Sequence, residues 1–512
     1  MEEISWIIVA IISSLVSSLA LLVCKTHLFP SHNKLPPGPF SIPIIGTLLW
    51  MLRSKGFSDL EPALRKLRAK YHSIVTIRIF SRPSIFIFSH SLAHQALIQD
   101  GAVFADRPPA PPLTIITSSN QHNISAASYG LTWRLLRRNL TAQVLHPSRV
   151  RSFSRARSWV LHILLRRLRD HQSSLRLKDH LHHAMFGLLV LMSFGDKLNE
   201  DQIEEVGRVQ RSMLLGMQRF QILNLWPGIT RFLLRRQWKE FHQLHHEQHR
   251  VFLPLIRARR DKVGKVEEEE QALSCYVDSL LEVELPDAED GGNKRNLTDD
   301  EILSLSTEFL SAGTDTTTTA LEWVMANLVK YPDVQEKLFR EIESMVEGSE
   351  EVLEEELGKM KYLRAVSLEG LRRHPPAHFV LPHSVTEDTV LDGKFMIPKN
   401  AAVNFMVAEM GWDPQVWEDP MAFKPERFLE GGEFDLTGSK EIKMMPFGAG
   451  RRMCPGYALA MLHLEYFVAN LVWNFKWEAA GEVDLTEKPE FTVVMKHPLE
   501  VKLSPRVKAS SQ

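Results

Sequence analysis

The chain has 512 residues, enough for three or four average domains or for one large enzyme domain. Hydrophobic residues make up 44% of it and charged residues 24%, which excludes a disordered or collagen-like chain. Lys and Arg total 61 against 62 Asp and Glu, and a formal charge of −1 gives no reason to expect nucleic acid as a partner.

The first predicted element is an uncharged run of 21 residues from Ile4 to Cys24. As an α-helix it would span roughly 30 Å, about the thickness of a bilayer core. A cleaved signal peptide is the alternative, but such peptides begin with basic residues and have a shorter apolar stretch, whereas Glu2 and Glu3 precede this run. Lys25 and Lys34 follow it. The run is therefore predicted to be an uncleaved anchor. The positive-inside rule predicts that residues 1–3 are luminal and that the large domain is cytosolic.

The rest of the chain is predicted to be mainly α with small β-sheets. Residues 25–40 form a basic, proline-rich hinge that contains LPPGP, Leu35–Pro39. Residues 41–505 form one large domain, and 506–512 a tail. Helical patterns occur at 155–170, 179–193, 202–223, 299–330 and 333–347. Strands are predicted at Ile74–Ile79 and Ser84–Phe88 as a hairpin, at Thr389–Ile397 and around Phe491–Leu503. The polar segment from Glu267 to Asn296 is predicted to be a surface connection.

The helix from Asp299 to Lys330 is the best-defined element. Thr298 and Glu301 form a capping box at its start, and Tyr331–Pro332 ends it. Its centre reads AGTDTT, Ala312–Thr317. A mid-helix glycine costs about 1 kcal/mol, so Gly313 indicates that a bulky partner passes close by. Asp315 and Thr316 offer a carboxyl and a hydroxyl for proton transfer. The alternative is a helix interface of small residues whose hydroxyls bond to their own backbone.

The most informative segment is PFGAGRRMCPG, Pro446–Gly456. Cys454 precedes a proline and an apolar helical pattern from Tyr457, so its sulfur is predicted to lie at a helix amino terminus, where a thiolate is favoured. The glycines let the backbone approach a bulky group, Phe447 can pack on it and Arg452 can bind an anion. These properties suit an iron porphyrin with its propionates. A loop whose glycines serve tight turns is the simpler alternative.

The pattern F-x-x-G-x-R-x-C-x-G in this segment resembles the haem-thiolate loop of the cytochromes P450. Four further motifs match that family in order and spacing: LPPGP, W-x-x-x-R, AGTDTT, and E-G-L-R with its partner P-E-R-F. The resemblance extends from the anchor to the last strands and implies the cytochrome P450 fold. The stretches FADRPPA and NQHNIS resemble plant members, especially the eighty-nine-A subfamily.

The resemblance also implies roles for single residues. Cys454 would ligate the iron of haem b, iron protoporphyrin IX. The other cofactor-binding residues that it implies are Arg452, Phe447, Gly450, Gly456, Ala312, Gly313, Trp133, Arg137 and His383. Among these, Trp133, Arg137, His383 and Arg452 would bind the propionates. The family places Asp315 and Thr316 in catalysis. It also implies a buried structural triad of Glu369, Arg372 and Arg427 that supports the haem loop.

The resemblance implies that the protein is a monooxygenase. Such an enzyme would insert one oxygen atom of O2 into a hydrophobic small molecule of plant secondary metabolism. Because no nicotinamide or flavin motif is present, electrons would come from another protein. The resemblance implies that this protein is an NADPH–cytochrome P450 reductase on the same endoplasmic reticulum membrane. The resemblance implies substrate contacts at Phe309, His378, Phe379, Val380 and Val494, and because this set is mostly apolar a hydrophobic substrate is expected. Two alternatives stay open, namely a haem-thiolate isomerase or dehydratase, and a non-enzymatic haem sensor or carrier.

A histidine-rich segment offers a second kind of site. His242, His245, His246 and His249 can share one helical face, and such imidazole pairs often bind zinc. Arg235, Arg236, Lys239 and Arg250 surround them, and positive charge opposes a dication. We therefore interpret the segment as a solvated basic face. The same interpretation is given to His180, His182 and His183.

Overall fold

The computed structural model describes residues 35–39, 60–79, 82–170, 174–195, 198–224, 227–263, 274–286, 293–346, 349–430 and 432–506. The predicted anchor, residues 4–24, and the luminal end, residues 1–3, lie outside these ranges. None of the helices in the described ranges combines the length and the hydropathy that a membrane crossing requires.

The described chain is mainly helical. Its α-helices are α1 (Leu60–Tyr71), α2 (His90–His94), α3 (Pro112–Thr117), α4 (Leu131–Asn139), α5 (Pro147–Ser152), α6 (Ser154–Arg169), α7 (Leu177–Phe194), α8 (Glu200–Phe220), α9 (Pro227–Leu233), α10 (Arg235–Val263), α11 (Tyr276–Leu281), α12 (Asp299–Lys330), α13 (Pro332–Met345), α14 (Glu354–Leu357), α15 (Lys361–Arg373), α16 (Val407–Gly411) and α17 (Tyr457–Asn474). Single π-turns follow α2 and α4, at Gln95–Gln99 and Leu140–Val144.

The strands are short and form small sheets. They are β1 (Ile74–Ile79), β2 (Arg82–Ile87), β3 (Leu175–Arg176), β4 (Glu284–Pro286), β5 (Lys294–Asn296), β6 (His383–Ser384), β7 (Thr389–Leu391), β8 (Phe395–Ile397), β9 (Ala402–Phe405), β10 (Phe475–Ala479), β11 (Glu487–Pro489), β12 (Val493–Met495) and β13 (Glu500–Pro505). Their orders are β1-β2-β9-β6, β10-β13-β3, and the pairs β11-β12, β4-β5 and β7-β8.

The first of two compact units comprises the described residues up to Pro108, with Phe379–Met406 and Gly438–Ile442. Its sheet confirms the predicted hairpin: β1 and β2 are antiparallel with Ile74 opposite Ile87, and β9 runs parallel to β2. The described part of the predicted hinge, residues 35–39, packs against this sheet, because Thr76 donates its backbone N–H to the carbonyl of Pro37 at 2.8 Å. A Cβ on Gly38 would lie 1.9 Å from the oxygen of Thr76, so only glycine fits there.

The second unit comprises the described parts of Pro109–His378, Val407–Thr437 and Lys443–Gln512. Its central element is α12, which packs against α7, α15 and α17. The predicted bounds and the capping box are confirmed, since Thr298 Oγ1 accepts from the N–H of Glu301 and Glu301 Oε2 accepts from the N–H of Thr298. At 1.5 Å per residue the helix is about 48 Å long and reaches across the unit.

Two sequence predictions are wrong in part. The stretch Thr389–Ile397 is two strands, because Asp392 and Gly393 take positive φ values of 53° and 63° and turn the chain back on itself. The polar segment from residue 267 to 296 is not simply a surface connection. Its described part contains α11, whose Tyr276 and Leu280 are buried, since a few apolar residues at helical spacing are hidden by the low average hydropathy.

Candidate active site

The cysteine loop, Pro446–Gly456, folds into a tight turn just before α17. Gly448 and Gly450 have φ values of 67° and 70°, a region that favours glycine. The turn is closed by the N–H of Cys454, which donates to the carbonyl of Phe447 at 2.8 Å. As predicted, the sulfur lies two residues before the N-cap of α17, Gly456. The ring of Phe447 packs edge-on against Tyr457, with 6.3 Å between centroids.

The electrostatics of the cysteine sulfur favour the thiol in the polypeptide alone. Burial raises the pKa of Cys454, although the backbone N–H of Gly456 donates to Sγ and the charge of Arg137 opposes the rise. The helix terminus predicted to stabilise a thiolate is therefore outweighed by desolvation. A cation bound to the sulfur would reverse this balance, because metals bind cysteine as the thiolate.

Trp133 and Arg137, on α4, and Arg452 form a cluster beside the loop. The guanidinium carbon of Arg452 lies 4.4 Å from the centre of the Trp133 ring, and Arg137 Nη2 donates to the carbonyl of Met453 at 2.6 Å. The indole Nε1 of Trp133 is buried and has no hydrogen-bond acceptor among the described residues. Two guanidinium groups and a buried donor that lacks an acceptor fit the acid groups of a porphyrin.

His383 belongs to the other unit, where it lies on β6 and is buried. Its Nδ1 is 2.7 Å from the carbonyl oxygen of Phe104, so this nitrogen carries the hydrogen and donates. The ring also packs edge-on against Phe405, with 5.5 Å between centroids. Its role toward a propionate stays a prediction.

The middle of α12 presents an open face within an otherwise buried helix. Ala312 is exposed and Thr316, one turn later, is half-buried, while residues 317–329 are buried throughout. The hydroxyl of Thr316 donates to the carbonyl of Ala312 at 2.5 Å. The alternative interpretation, in which the hydroxyls of this helix bond to their own backbone, is therefore correct for Thr316. Gly313 faces α7 instead: a Cβ there would lie 2.6 Å from Cδ1 of Leu189. Helix packing thus accounts for this glycine, and its contact with a cofactor stays a prediction.

Asp315 has a partner that the sequence interpretation missed. His182 Nε2 lies 3.8 Å from Asp315 Oδ1, and the side chain of His182 is only 16% exposed. The interpretation of His182 as part of a solvated face is therefore wrong, because α7 turns it toward α12. Burial is the largest cause of both pKa shifts: it raises the pKa of Asp315 and lowers that of His182 to about 4. The acid thus retains a proton to higher pH than an exposed aspartate does.

The three predicted triad residues are together, with Glu369 and Arg372 buried and Arg427 half-buried. Arg372 forms a bidentate pair with Glu369, with Nε–Oε2 at 2.7 Å and Nη2–Oε1 at 2.8 Å, and both side chains are fully buried. Arg427 Nε donates to the same carboxylate at 3.2 Å. The guanidinium of Arg372 also donates to the carbonyls of Gly411 and Pro420. This group ties α15 to the segment between α16 and the cysteine loop.

The predicted substrate contacts lie in both units. In the larger one, Phe309 is half-buried on α12, Val494 is buried on β12, and His378 Nε2 lies 3.4 Å from Glu487 Oε2. The backbone N–H of Val493 donates to the carbonyl of Pro376 at 2.8 Å, which joins β12 to the segment before His378. Phe379 and Val380 belong to the smaller unit, where Phe379 packs on Phe86. All five roles toward a substrate stay predictions.

The histidine face of α10 shows no metal geometry. The described residues contain no group of three or more His, Cys, Asp or Glu side chains that could hold an ion. His249 instead pairs with Asp300 at 3.5 Å, and its ring lies 4.5 Å from that of His245. Burial and the charge of His249 lower the pKa of His245 to about 4.

The chain belongs to the cytochrome P450 family, whose sequence pattern it matches over residues 36–505. It is therefore a haem-thiolate monooxygenase. It is 51% identical to cytochrome P450 89A9 of Arabidopsis thaliana, across 99% of this chain and 100% of that protein, which confirms the resemblance to the plant eighty-nine-A subfamily. It is 31% identical to flavonoid 3'-monooxygenase of the same plant, across 93% of this chain and 92% of that protein. A zebra fish cytochrome P450 solved with progesterone shares the fold, with a TM-score of 0.73 over 87% of this chain and 99% of that chain at 21% identity.

Proposed function

We propose that the protein is a membrane-anchored monooxygenase that holds haem b through Cys454 and inserts one oxygen atom of O2 into a hydrophobic small molecule of plant secondary metabolism. Residues 4–24 would anchor it in the endoplasmic reticulum membrane, residues 25–40 would be the hinge, and residues 41–505 would form the cytosolic catalytic domain. The observation that carries the proposal is the half-buried Cys454 beside Arg137, Arg452 and the buried indole N–H of Trp133, which has no acceptor among the described residues.

The residues around the cysteine loop would bind the cofactor from its thiolate side and at its acid groups. When bound, the haem iron supplies the activation of O2 that no amino-acid side chain provides. Cys454 would hold the iron as a thiolate, and the iron's charge would offset the burial that raises the pKa of this sulfur. Trp133 Nε1 would gain its missing acceptor from a propionate, and the two guanidinium groups would neutralise the negative charge.

Asp315 and Thr316, on α12, would donate and transfer protons during the reaction. Burial raises the pKa of Asp315, so a fraction of these carboxyl groups still carries a proton to release where an exposed aspartate would be ionised. The hydroxyl of Thr316 now donates to its own helix, and a rotation about χ1 would re-aim it at a reacting group. Ala312, exposed one turn before Thr316, would leave room for the substrate.

Electrons would arrive from a reductase at the surface next to the cysteine loop. Arg134, Arg138 and Arg451 are exposed there, and Arg134 and Arg451 flank the ring of Tyr129 at 5.1 and 5.6 Å. A basic patch attracts an acidic flavoprotein by long-range steering. Reversal of these three charges should lower the rate at which the reductase reduces the iron, and should make that rate depend less on the salt concentration.

The decisive experiment replaces the sulfur ligand. Cys454→Ser should abolish the absorption spectrum of the ferrous carbonyl adduct that is specific to a thiolate ligand. Cys275→Ser is the control: this cysteine is buried at the N-cap of α11, and its replacement should leave the spectrum unchanged. A wild-type protein supplied with haem that lacked this spectrum would overturn the proposal.

The two alternatives are separated by one variant and one condition. Thr316→Ala should divert electrons to peroxide or lose product in a monooxygenase, whereas a haem carrier would be indifferent to it. An isomerase or dehydratase would turn over without oxygen, so product formed under nitrogen would favour that class.

A further inference from the structure

Glu322 places a carboxyl group in the interior of α12. The residue is fully buried, which is rare for an acidic side chain that has no charged partner. Its Oε1 accepts a long hydrogen bond from the backbone N–H of Leu499 at 3.4 Å, and its Oε2 is buried without a hydrogen-bond partner among the described residues. Burial raises the pKa of Glu322, so the carboxyl favours its protonated form. A protonated carboxyl donates as well as accepts, and this one therefore needs a further partner.

A second buried polar atom lies beside Glu322 on the helix. The hydroxyl oxygen of Thr318 is buried and has no hydrogen-bond partner in the part of the chain that the structure describes. Residues 318 and 322 are spaced by four, so their side chains are neighbours on the helix surface. Buried polar groups are almost always hydrogen-bonded. One water molecule between the hydroxyl and the carboxyl would satisfy both atoms.

The same side of α12 leads to Asp315. Residues 315, 318 and 322 are spaced by three and four, so they lie on one side of the helix over about 10 Å of its axis. Two further side chains, Lys178 on α7 and Glu490 just after β11, act electrostatically on both Asp315 and Glu322. The two acids therefore share one environment, and the hydroxyl of Thr318 lies between them.

Solvent reaches this environment at the first turn of α7. Lys178 is half-buried there and Asp179 is exposed. The charge of Lys178 lowers the pKa of Glu322 and opposes the effect of burial, whereas the charge of Asp179 raises it. A carboxylate at Glu322 would thus be stabilised by Lys178, and solvent water close to Asp179 would supply its next proton.

We infer that Glu322 is a proton reserve for Asp315. Once Asp315 has released its proton, the hydroxyl of Thr318 passes its hydrogen to the Asp315 carboxylate and receives one from the Glu322 carboxyl through a bridging water. Glu322 then remains a carboxylate beside Lys178 until solvent water protonates it. The inference rests on the proposed function, because it takes Asp315 as the acid that supplies protons to the reaction. Glu322 acts only through Asp315.

Infrared difference spectroscopy of the haem-loaded protein tests whether Glu322 carries the proton. The spectrum of the wild type minus that of Glu322→Gln should contain the carbonyl stretching band of a protonated carboxyl at neutral pH. The band should shift in D2O, because the hydrogen of the carboxyl exchanges. A carboxylate band in its place would mean that Glu322 is ionised, and would overturn the inference.

Reoxidation of the reduced, haem-loaded protein tests the transfer. O2 is the only probe that this reaction needs, and the reaction takes up protons as the reduced oxygen leaves. We expect Glu322→Gln and Thr318→Val each to slow it about tenfold at neutral pH, because each variant keeps the size of the side chain and removes one proton donor of the proposed path. The haem absorption measures the rate.

Thr319→Val is the matched control. It removes a neighbouring buried hydroxyl that is already paired, with Thr492 Oγ1 at 2.8 Å. Its rate of reoxidation should stay within about twofold of the wild type. Equal slowing in all three variants, or an unchanged rate in Glu322→Gln, would overturn the inference alone. A wild type without a thiolate-haem spectrum would instead overturn the proposed function, and the inference with it.

Discussion

The guanidinium of Arg137 donates to the carbonyl oxygen of Met453 over 2.6 Å, one residue before Cys454. Burial lowers the pKa of Arg137 and the nearby sulfur of Cys454 raises it, so the two groups interact electrostatically. Helix α4 is thereby joined to the cysteine loop by a charged side chain. That side chain would serve both the loop's backbone and a propionate.

Arg137→Gln should therefore weaken haem retention. The variant keeps a polar side chain but loses the charge and the fork of donors, and we expect haem affinity to fall about tenfold or more. The measurement is the rate of haem transfer to excess apomyoglobin. Arg138→Gln is the control, because its neighbouring side chain is exposed. Equal transfer rates in the two variants would contradict this role for Arg137.

Trp133→Phe should act differently with and without haem. A buried donor without an acceptor costs about 1–3 kcal/mol, so the haem-free protein should lose little stability when the N–H of Trp133 is removed. The haem-loaded protein should lose a propionate hydrogen bond and unfold at lower urea concentration. Urea unfolding of both forms measures the difference.

Trp323→Phe provides the comparison for that experiment. Trp323 Nε1 already donates to the carbonyl of Val493 at 2.8 Å, so its loss should destabilise both forms alike. If Trp133→Phe also destabilised both forms equally, its indole would have a structural role only.

The sequence predicted those parts of the site that depend on interactions between residues close together in the chain. The bounds of α12 follow from Thr298 with Glu301 and from Tyr331–Pro332, all within a few residues of the ends. The turn before α17 follows from the glycines and from Cys454 and its proline. These interactions join near neighbours, so their spacing in the sequence reports them.

The parts that the sequence did not predict depend on contacts between distant segments. Glu308 binds amides that precede it by 184 and 183 residues, and His182 reaches Asp315 only because α7 packs against α12. Gly313 illustrates the same point, since its explanation is Leu189 on the neighbouring helix. The family resemblance placed Glu369 near Arg427, 58 residues away, where spacing alone predicted only the pair with Arg372.

Glu369→Gln should be strongly destabilising. It leaves the guanidinium of Arg372 buried without its charged partner, and loss of one member of a buried pair costs about 3–5 kcal/mol. The control is Glu433→Gln, whose ion pair with Arg364 at 3.1 Å is exposed and worth at most about 1 kcal/mol. The free energy of unfolding in urea checks both values, and a difference of less than about 1 kcal/mol between the variants would argue against a supporting triad.

His463→Leu should make stability less sensitive to acid. Burial and then the charge of Arg157 lower the pKa of His463 from 6.5 to about 3, and its Nε2 is buried without a hydrogen-bond partner among the described residues. The unfolded chain takes up a proton here as the pH falls below 6.5 and the folded protein does so only near pH 3, so acid favours unfolding throughout this window.

The expected size of this effect follows from the same pKa shift. Between pH 7 and pH 5 the wild type should lose about 2 kcal/mol more stability than His463→Leu, measured as the free energy of unfolding in urea at the two pH values. Met461→Leu, a buried substitution on the same helix without a titrating group, should change stability equally at both. If His463→Leu also did so, His463 would be able to take up its proton in the folded state, and its burial would not be the cause of acid sensitivity.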